Sequence, residues 1–115
     1  MNTITLYGIP NCDSIKKARN FLESRNIDYD FHDYKKQGIA ENKLKRWCKI
    51  FGYENVLNRR GTTWRKLSDD VKDAMNENQA LKLMQEQPSI IKRPILEYGD
   101  KVLLGFDQSE YESLL

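Results

Sequence analysis

The side chains able to do covalent chemistry in this chain are few. Of its 115 residues, two are cysteines (Cys12 and Cys48) and one is a histidine (His32). With no Cys-x-x-Cys, no metal-ligand cluster is expected, and a structural zinc site is excluded. Cys12 stands where an alternating β-branched run gives way to a helical period. The first N–H groups of such a helix have no intrahelical partner, and the helix dipole places partial positive charge there. Both favour thiolate over thiol, so the pKa should fall below the free value of about 8.5 and make the sulfur a nucleophile near neutral pH. Asp13 opposes this as a neighbouring negative charge, and Lys16 and Lys17 partly offset it. The alternative is a cysteine that merely starts a helix; position alone leaves both open.

Cys48 sits beside Trp47 on an apolar helical face and reads as a small buried hydrophobe. It would pair with Cys12 only if their Cα atoms came within about 7 Å. Arg59 and Arg60, before Gly61, carry permanent charge on planar forks suited to oxyanions and carboxylates, although an isolated Arg-Arg-Gly is more often a solvated turn. Arg93 precedes Pro94, which forces it toward extended backbone. Trp64 beside Arg65 and Lys66 is a weak nucleic-acid signal and reads as packing. His32, without an acid or metal partner in the pattern, reads as structural.

The elements that must position these groups follow from the periods. Thr3 to Tyr7 alternates as a strand, and Gly8 to Asn11 is a loop. A helix with Ile15, Ala18, Phe21 and Leu22 on one face starts at Asn11 or Cys12 and ends near Asn26. Tyr29 to Tyr34 alternates again, completing a βαβ unit. The middle of the chain is helical: Ala40, Leu44, Trp47, Cys48 and Phe51 define a helix closed by Gly52. Residues 58–64 are expected as a loop or tight turn. Ser68 and Asn78 are expected to cap two further helices, the second stopped by Pro88. Strand character is expected to return at Ile90-Ile91. A hairpin follows, Ile95–Tyr98 with Lys101–Leu104 about Gly99-Asp100, and Asp107 with Glu110 forms a capping box for a last helix.

Composition bounds the rest. The length suits one domain, residues 1–115, with a helical insert over about 37–88. Hydrophobic residues at 39% support a real core, and 31% charged residues of mixed sign give a net charge of only +2. That charge does not argue for nucleic acid or an anionic membrane as partner. No apolar run approaches a membrane span, and Met1 to Tyr7 lacks the basic start and long apolar stretch of a secretory signal, so a cytoplasmic location is expected.

Five ordered segments resemble the arsenate-reductase-related (ArsC) family of thioredoxin-like proteins, which includes Spx-type regulators, with the greatest similarity to its YffB branch. They are Thr5 to Arg19, Tyr29 to Tyr34, Leu57 to Leu67, Ile90 to Pro94 and Leu103 to Phe106. The resemblance implies an α/β fold, a thioredoxin-like (glutaredoxin-like) mixed sheet with an inserted helical subdomain. It implies that Cys12 is the reactive thiol and that Arg60 and Arg93 face it. Asn11, Asp13, Arg59 and Pro94 would help to bind the substrate or thiol, with Pro94 in the place of the cis-proline of thioredoxin-like folds. Three departures stand out. Gly8 occupies the position of a histidine in arsenate reductases. Their third arginine has no counterpart in Leu103-Leu104-Gly105-Phe106. Ile15 replaces the second cysteine of the Spx switch.

The implied function is a monothiol oxidoreductase with no tightly bound cofactor. Cys12 would attack a small disulfide, thiol-linked group or oxyanion, and Arg60 and Arg93 would lower its pKa and hold the anionic end of the partner. An external thiol must resolve the adduct. Glutathione, whose carboxylates suit arginine forks, is the expected co-substrate, with glutaredoxin a further partner. Arsenate reduction is the second reading. The third, binding of RNA polymerase by an Spx-like regulator, is opposed by the missing second cysteine.

Overall fold

The computed structural model describes residues 3–115; Met1 and Asn2, which the N-terminal reading and its secretory-signal argument include, lie outside the described residues. The elements run β1 (Ile4–Gly8), α1 (Asp13–Ser24), β2 (Asp30–Asp33), α2 (Tyr34–Gln37), α3 (Glu41–Phe51), α4 (Tyr53–Val56) and α5 (Thr62–Arg65). They continue with α6 (Asp69–Asp73), α7 (Glu77–Glu86), a 3-10 turn (Pro88–Ile90), β3 (Ile95–Tyr98), β4 (Lys101–Leu104) and α8 (Gln108–Leu114). Two compact units result: residues 3–37 with Arg93–Leu115, and Gly38–Lys92.

In the first unit the strands are ordered β2-β1-β3-β4. β1 and β2 run parallel, with Leu6 opposite Phe31, and the crossover between them carries α1. β3 is antiparallel to β1, with Leu6 opposite Leu96, and β4 is antiparallel to β3. A parallel βαβ unit joined to an antiparallel hairpin is the thioredoxin-like mixed sheet that the family resemblance implies. Ile4, Leu6 and Leu96 face one side because strand side chains alternate, and there they pack with Ala18, Phe21, Leu22 and Tyr111. The i, i+3, i+4 spacing in α1 supplies that layer, burying Ile15 as well.

Local chemistry sets the ends of these elements. Asn26 takes a left-handed φ of 57°, and the Ile27 N–H returns to the Leu22 carbonyl at 2.9 Å, closing α1. β2 is shorter than the alternation suggests. Tyr29 stays outside it, its hydroxyl donating to Glu23 Oε2 at 2.6 Å and accepting from Arg19 Nε at 3.0 Å. At the other end the buried Asp33 accepts from the Lys35 N–H at 2.9 Å and turns the chain into α2. Asp107 accepts from the Glu110 N–H at 3.1 Å, so the cap of α8 forms where the sequence puts it.

The second unit is helical around Leu44, Trp47, Cys48, Val56, Ala80, Leu81 and Met84, all buried. Gly52, at φ 86°, ends α3 and sends its N–H to the Cys48 carbonyl at 2.8 Å. Three expectations need correction. The tight turn expected over residues 58–64 is present only as far as Gly61: α5 begins at Thr62, and Thr63 meets the Ser89 hydroxyl at 2.9 Å. Asn76, not Asn78, caps α7, accepting from the Gln79 N–H at 2.9 Å. Ile90-Ile91 forms no named strand: Ile90 closes the 3-10 turn that Pro88 starts, and Ile91 makes only an isolated bridge to Leu57. Among the described residues no helix is long and apolar enough to cross a membrane.

Candidate active site

Cys12 is the residue immediately before α1. Its backbone is extended, at φ −118° and ψ 135°, and its carbonyl receives the Lys16 N–H at 3.0 Å to open the helix. The sulfur does not take the capping hydrogen bond that a serine would take here, and it is half-buried. It meets the Ser14 hydroxyl, with Sγ and Oγ 3.1 Å apart. The same hydroxyl donates to the Arg93 carbonyl at 3.2 Å, so a single side chain joins the sulfur to the segment that enters β3.

Burial pushes the Cys12 thiol up, but the Ser14 hydroxyl pulls it down. The amides of Ile15 and Ser14 and the Arg93 side chain add to that pull, and the balance falls below the ordinary thiol value. The physical cause is local: donors converge on the place where negative charge develops, at the unsatisfied end of a helix. A nucleophilic thiolate is what this arrangement can supply.

Arg93 belongs to the same unit and leads into β3. Its peptide bond to Pro94 is cis, and Pro94 is buried. Arg93 also lies within electrostatic reach of Tyr34. Complete burial, with the nearby Tyr7 and Glu97, holds the Tyr34 phenol well above its usual pKa, and Arg93 works against that shift. On this sheet face the Tyr7 hydroxyl donates to the buried Glu97 Oε1 at 2.8 Å, and His32 packs against the Tyr7 ring at 5.0 Å between centroids. His32 is thus one of a set of packed rings, in keeping with its structural reading.

Gly8 explains how Arg93 and α1 approach the sheet. A Cβ on Gly8 would overlap Cδ1 of Ile15, lie 2.9 Å from its Cγ1 and come within 3.6 Å of the Arg93 Cβ. Two departures from the family pattern, glycine for histidine and isoleucine for cysteine, are therefore one packing arrangement.

Asn11, Cys12, Asp13, Arg93 and Pro94 all belong to the first unit, with Asn11 and Asp13 exposed on either side of the cysteine. Arg59 and Arg60 belong to the second. Arg59 lies over the Trp64 ring at 5.6 Å, and both arginines are exposed. The Arg60 N–H donates to Asn58 Oδ1 at 3.2 Å, which shapes the turn. Cys48 is a free, buried thiol; desolvation, with Glu77 and Glu54 adding, pushes it up to about 11. Sequence reasoning missed Ser14 and the Tyr7–Glu97 pair. The available signal for Ser14 was a hydroxyl two residues after the cysteine in the first helical turn, where short polar side chains fold back on the helix start. Among the described residues no group of three or more His, Cys, Asp or Glu is gathered to hold a metal ion.

Comparison with known proteins adds a lineage to this geometry. Residues 7–114 match the ArsC family. An uncharacterized protein of Haemophilus influenzae is 42% identical over 110 residues, spanning 96% of each chain. The global transcriptional regulator Spx 1 of Lactococcus lactis is 31% identical over 114 residues, covering 97% of this chain and 88% of its own. Among solved structures, one named YFFB protein superposes with a TM-score of 0.93 at 50% identity, covering 96% of this chain and 97% of that one.

Proposed function

The chain belongs to the ArsC family, and from that premise we propose that it is a glutathione-dependent thiol–disulfide reductase with Cys12 as its nucleophile. The observation that carries this reading is the half-buried Cys12 sulfur at the head of α1, pulled below the ordinary thiol pKa by Ser14, helix amides and Arg93. The thiolate attacks one sulfur of a disulfide, a Cys12–sulfur bond forms, and the other sulfur leaves as a thiolate that takes a proton from water. Glutathione thiolate then attacks the substrate sulfur of the mixed disulfide and releases Cys12, leaving that half joined to glutathione. A second glutathione thiolate attacks the glutathione sulfur of that bond, so both substrate sulfurs end as thiols and two glutathiones end as one disulfide. Arg93 favours the anionic sulfur. Arg60, with Arg59, Asn11, Asp13 and Pro94, enters on the family resemblance alone as a group that holds the anionic partner. Glutaredoxin is a candidate to recycle the oxidised thiol, in the cytoplasm.

The test is the rate of Cys12 alkylation against pH in the native protein and in Arg93→Ala and Arg60→Ala, beside reduction of a small disulfide by glutathione. Expected are an inflection below the free-thiol range that rises in the arginine variants, and turnover that vanishes in Cys12→Ser. An ordinary inflection that neither arginine moves would defeat the reading. A regulator reading draws on the similarity to Spx 1, and retention of the protein on the RNA polymerase α subunit would favour it. Family membership also keeps arsenate as a candidate acceptor; turnover of arsenate with glutathione no faster than in Cys12→Ser would remove it.

A further inference from the structure

The Ser14 hydroxyl has one proton and two claimants, the Cys12 sulfur at 3.1 Å and the Arg93 carbonyl at 3.2 Å. We infer that Ser14 is a positioning residue whose hydroxyl turns between these acceptors as the charge on Cys12 changes: once the thiol has lost its proton to solvent, the thiolate is held by the hydroxyl hydrogen bond that otherwise ties α1 to the Arg93 backbone. The inference rests on the reading of Cys12 as the nucleophile and deepens it by naming the group that sets its charge.

The alternatives follow from what each group can donate. A neutral thiol has its own proton, so it can donate weakly to Oγ while Ser14 donates to the carbonyl; all three groups are then satisfied. A thiolate has no proton and accepts only. Facing it, the Ser14 proton is drawn to the charged acceptor, because hydrogen bonds to ions are about twice as strong as those between neutral groups. The Arg93 carbonyl then gives up this donor. Formation of a mixed disulfide removes the charge from the sulfur again, and the hydroxyl returns to the carbonyl. Attack and release each move one hydrogen bond and no atom of the backbone. Ser14 is exposed only in part, so water competes for its hydroxyl less than it would at an open surface.

Arg93 joins both ends of this switch. Its carbonyl is the alternative acceptor. Its side chain is one of the groups that favour the thiolate. Loss of the Ser14 hydroxyl should therefore act on the sulfur directly, with the guanidinium still in the chain, and the effects of Ser14→Ala and Arg93→Ala on the sulfur should be separable.

The experiment follows alkylation of Cys12 by iodoacetamide across the neutral to alkaline range, read on the Cys12 peptide by mass spectrometry, in the native protein, Ser14→Ala and Ser14→Thr. The expected result is an inflection about one pH unit higher in Ser14→Ala, or roughly tenfold less thiolate at neutral pH. Ser14→Thr, which keeps the hydroxyl, should return the curve toward the native one. A Ser14→Ala curve that superimposes on the native curve overturns the inference, and so does a Ser14→Thr curve displaced as far as that of Ser14→Ala. The absolute position of the native inflection tests the nucleophile reading separately: in the ordinary thiol range it would count against that reading, while the difference between native protein and Ser14→Ala would still decide the role of Ser14.

Discussion

The two cysteines differ in every respect that governs thiol chemistry. Cys12 is half-buried among donors, whereas Cys48 lies in an apolar helix face under the influence of Glu77 and Glu54. Their folded pKa values accordingly move in opposite directions. For Cys48 the folded value of about 11 lies above the ordinary 9.0, so between them the unfolded chain has lost a proton that the folded one retains. Stability from this group is therefore complete below about pH 9 and lost as pH rises toward about 11. Cys12 has the opposite sign: its thiolate favours the folded state at alkaline pH, and that contribution fades as pH falls through the lowered value. Urea unfolding midpoints in Cys48→Ala should accordingly fall less steeply over the alkaline interval than those of the native protein. At this scale the sequence made the place of Cys12 legible, because a change of hydrophobic period marks a helix start without any alignment. The Ser14 hydroxyl was visible beside Cys12 in the first helical turn, but its contact with the Arg93 carbonyl was not, because that carbonyl lies far along the chain and periodicity carries no information about the distance.

The helices and strands were readable wherever one period dominated. β1, α1, α3 and the β3–β4 hairpin each carry an unbroken pattern, and the structure keeps them with ends moved by a residue or two. The pattern misled where local hydrogen bonding decided instead. α5 opens on two threonines that favour extended backbone, and Asn78 looks as good a cap as Asn76 until the Gln79 N–H is seen to reach Asn76. Ile90-Ile91 has strand composition but follows Pro88, whose fixed φ starts a tight turn. Packing of one element on another gives the prediction here. Gly8→Ala should destabilise the fold by about 1–3 kcal/mol, because the new methyl meets Cδ1 of Ile15. Ile15→Val deletes that Cδ1 at a cost of about 1 kcal/mol. The double variant should be less destabilised than the two single changes combined, as read from denaturant unfolding in a double-mutant cycle; strict additivity would show that the two residues do not meet.

Opposite charges nearly cancel over the molecule as a whole. A net of +2 from 19 basic and 17 acidic residues gives a weak long-range field, so an anion that approaches Cys12 is drawn by groups close to the sulfur. The rate at which Cys12 reacts with glutathione disulfide should then fall only a few-fold from low to physiological ionic strength, measured by stopped-flow kinetics; a fall of orders of magnitude would reveal a larger field than the composition supplies. The same wide view bears on the sheet order. β1 is an interior strand whose antiparallel neighbour, β3, is encoded after the whole of Gly38–Lys92. On the ribosome β1, α1 and β2 emerge first, and one flank of β1 then has its backbone donors and acceptors uncovered until the hairpin is synthesised. Nascent chains stalled before residue 95 would therefore be the form most prone to stray strand pairing and most in need of a chaperone.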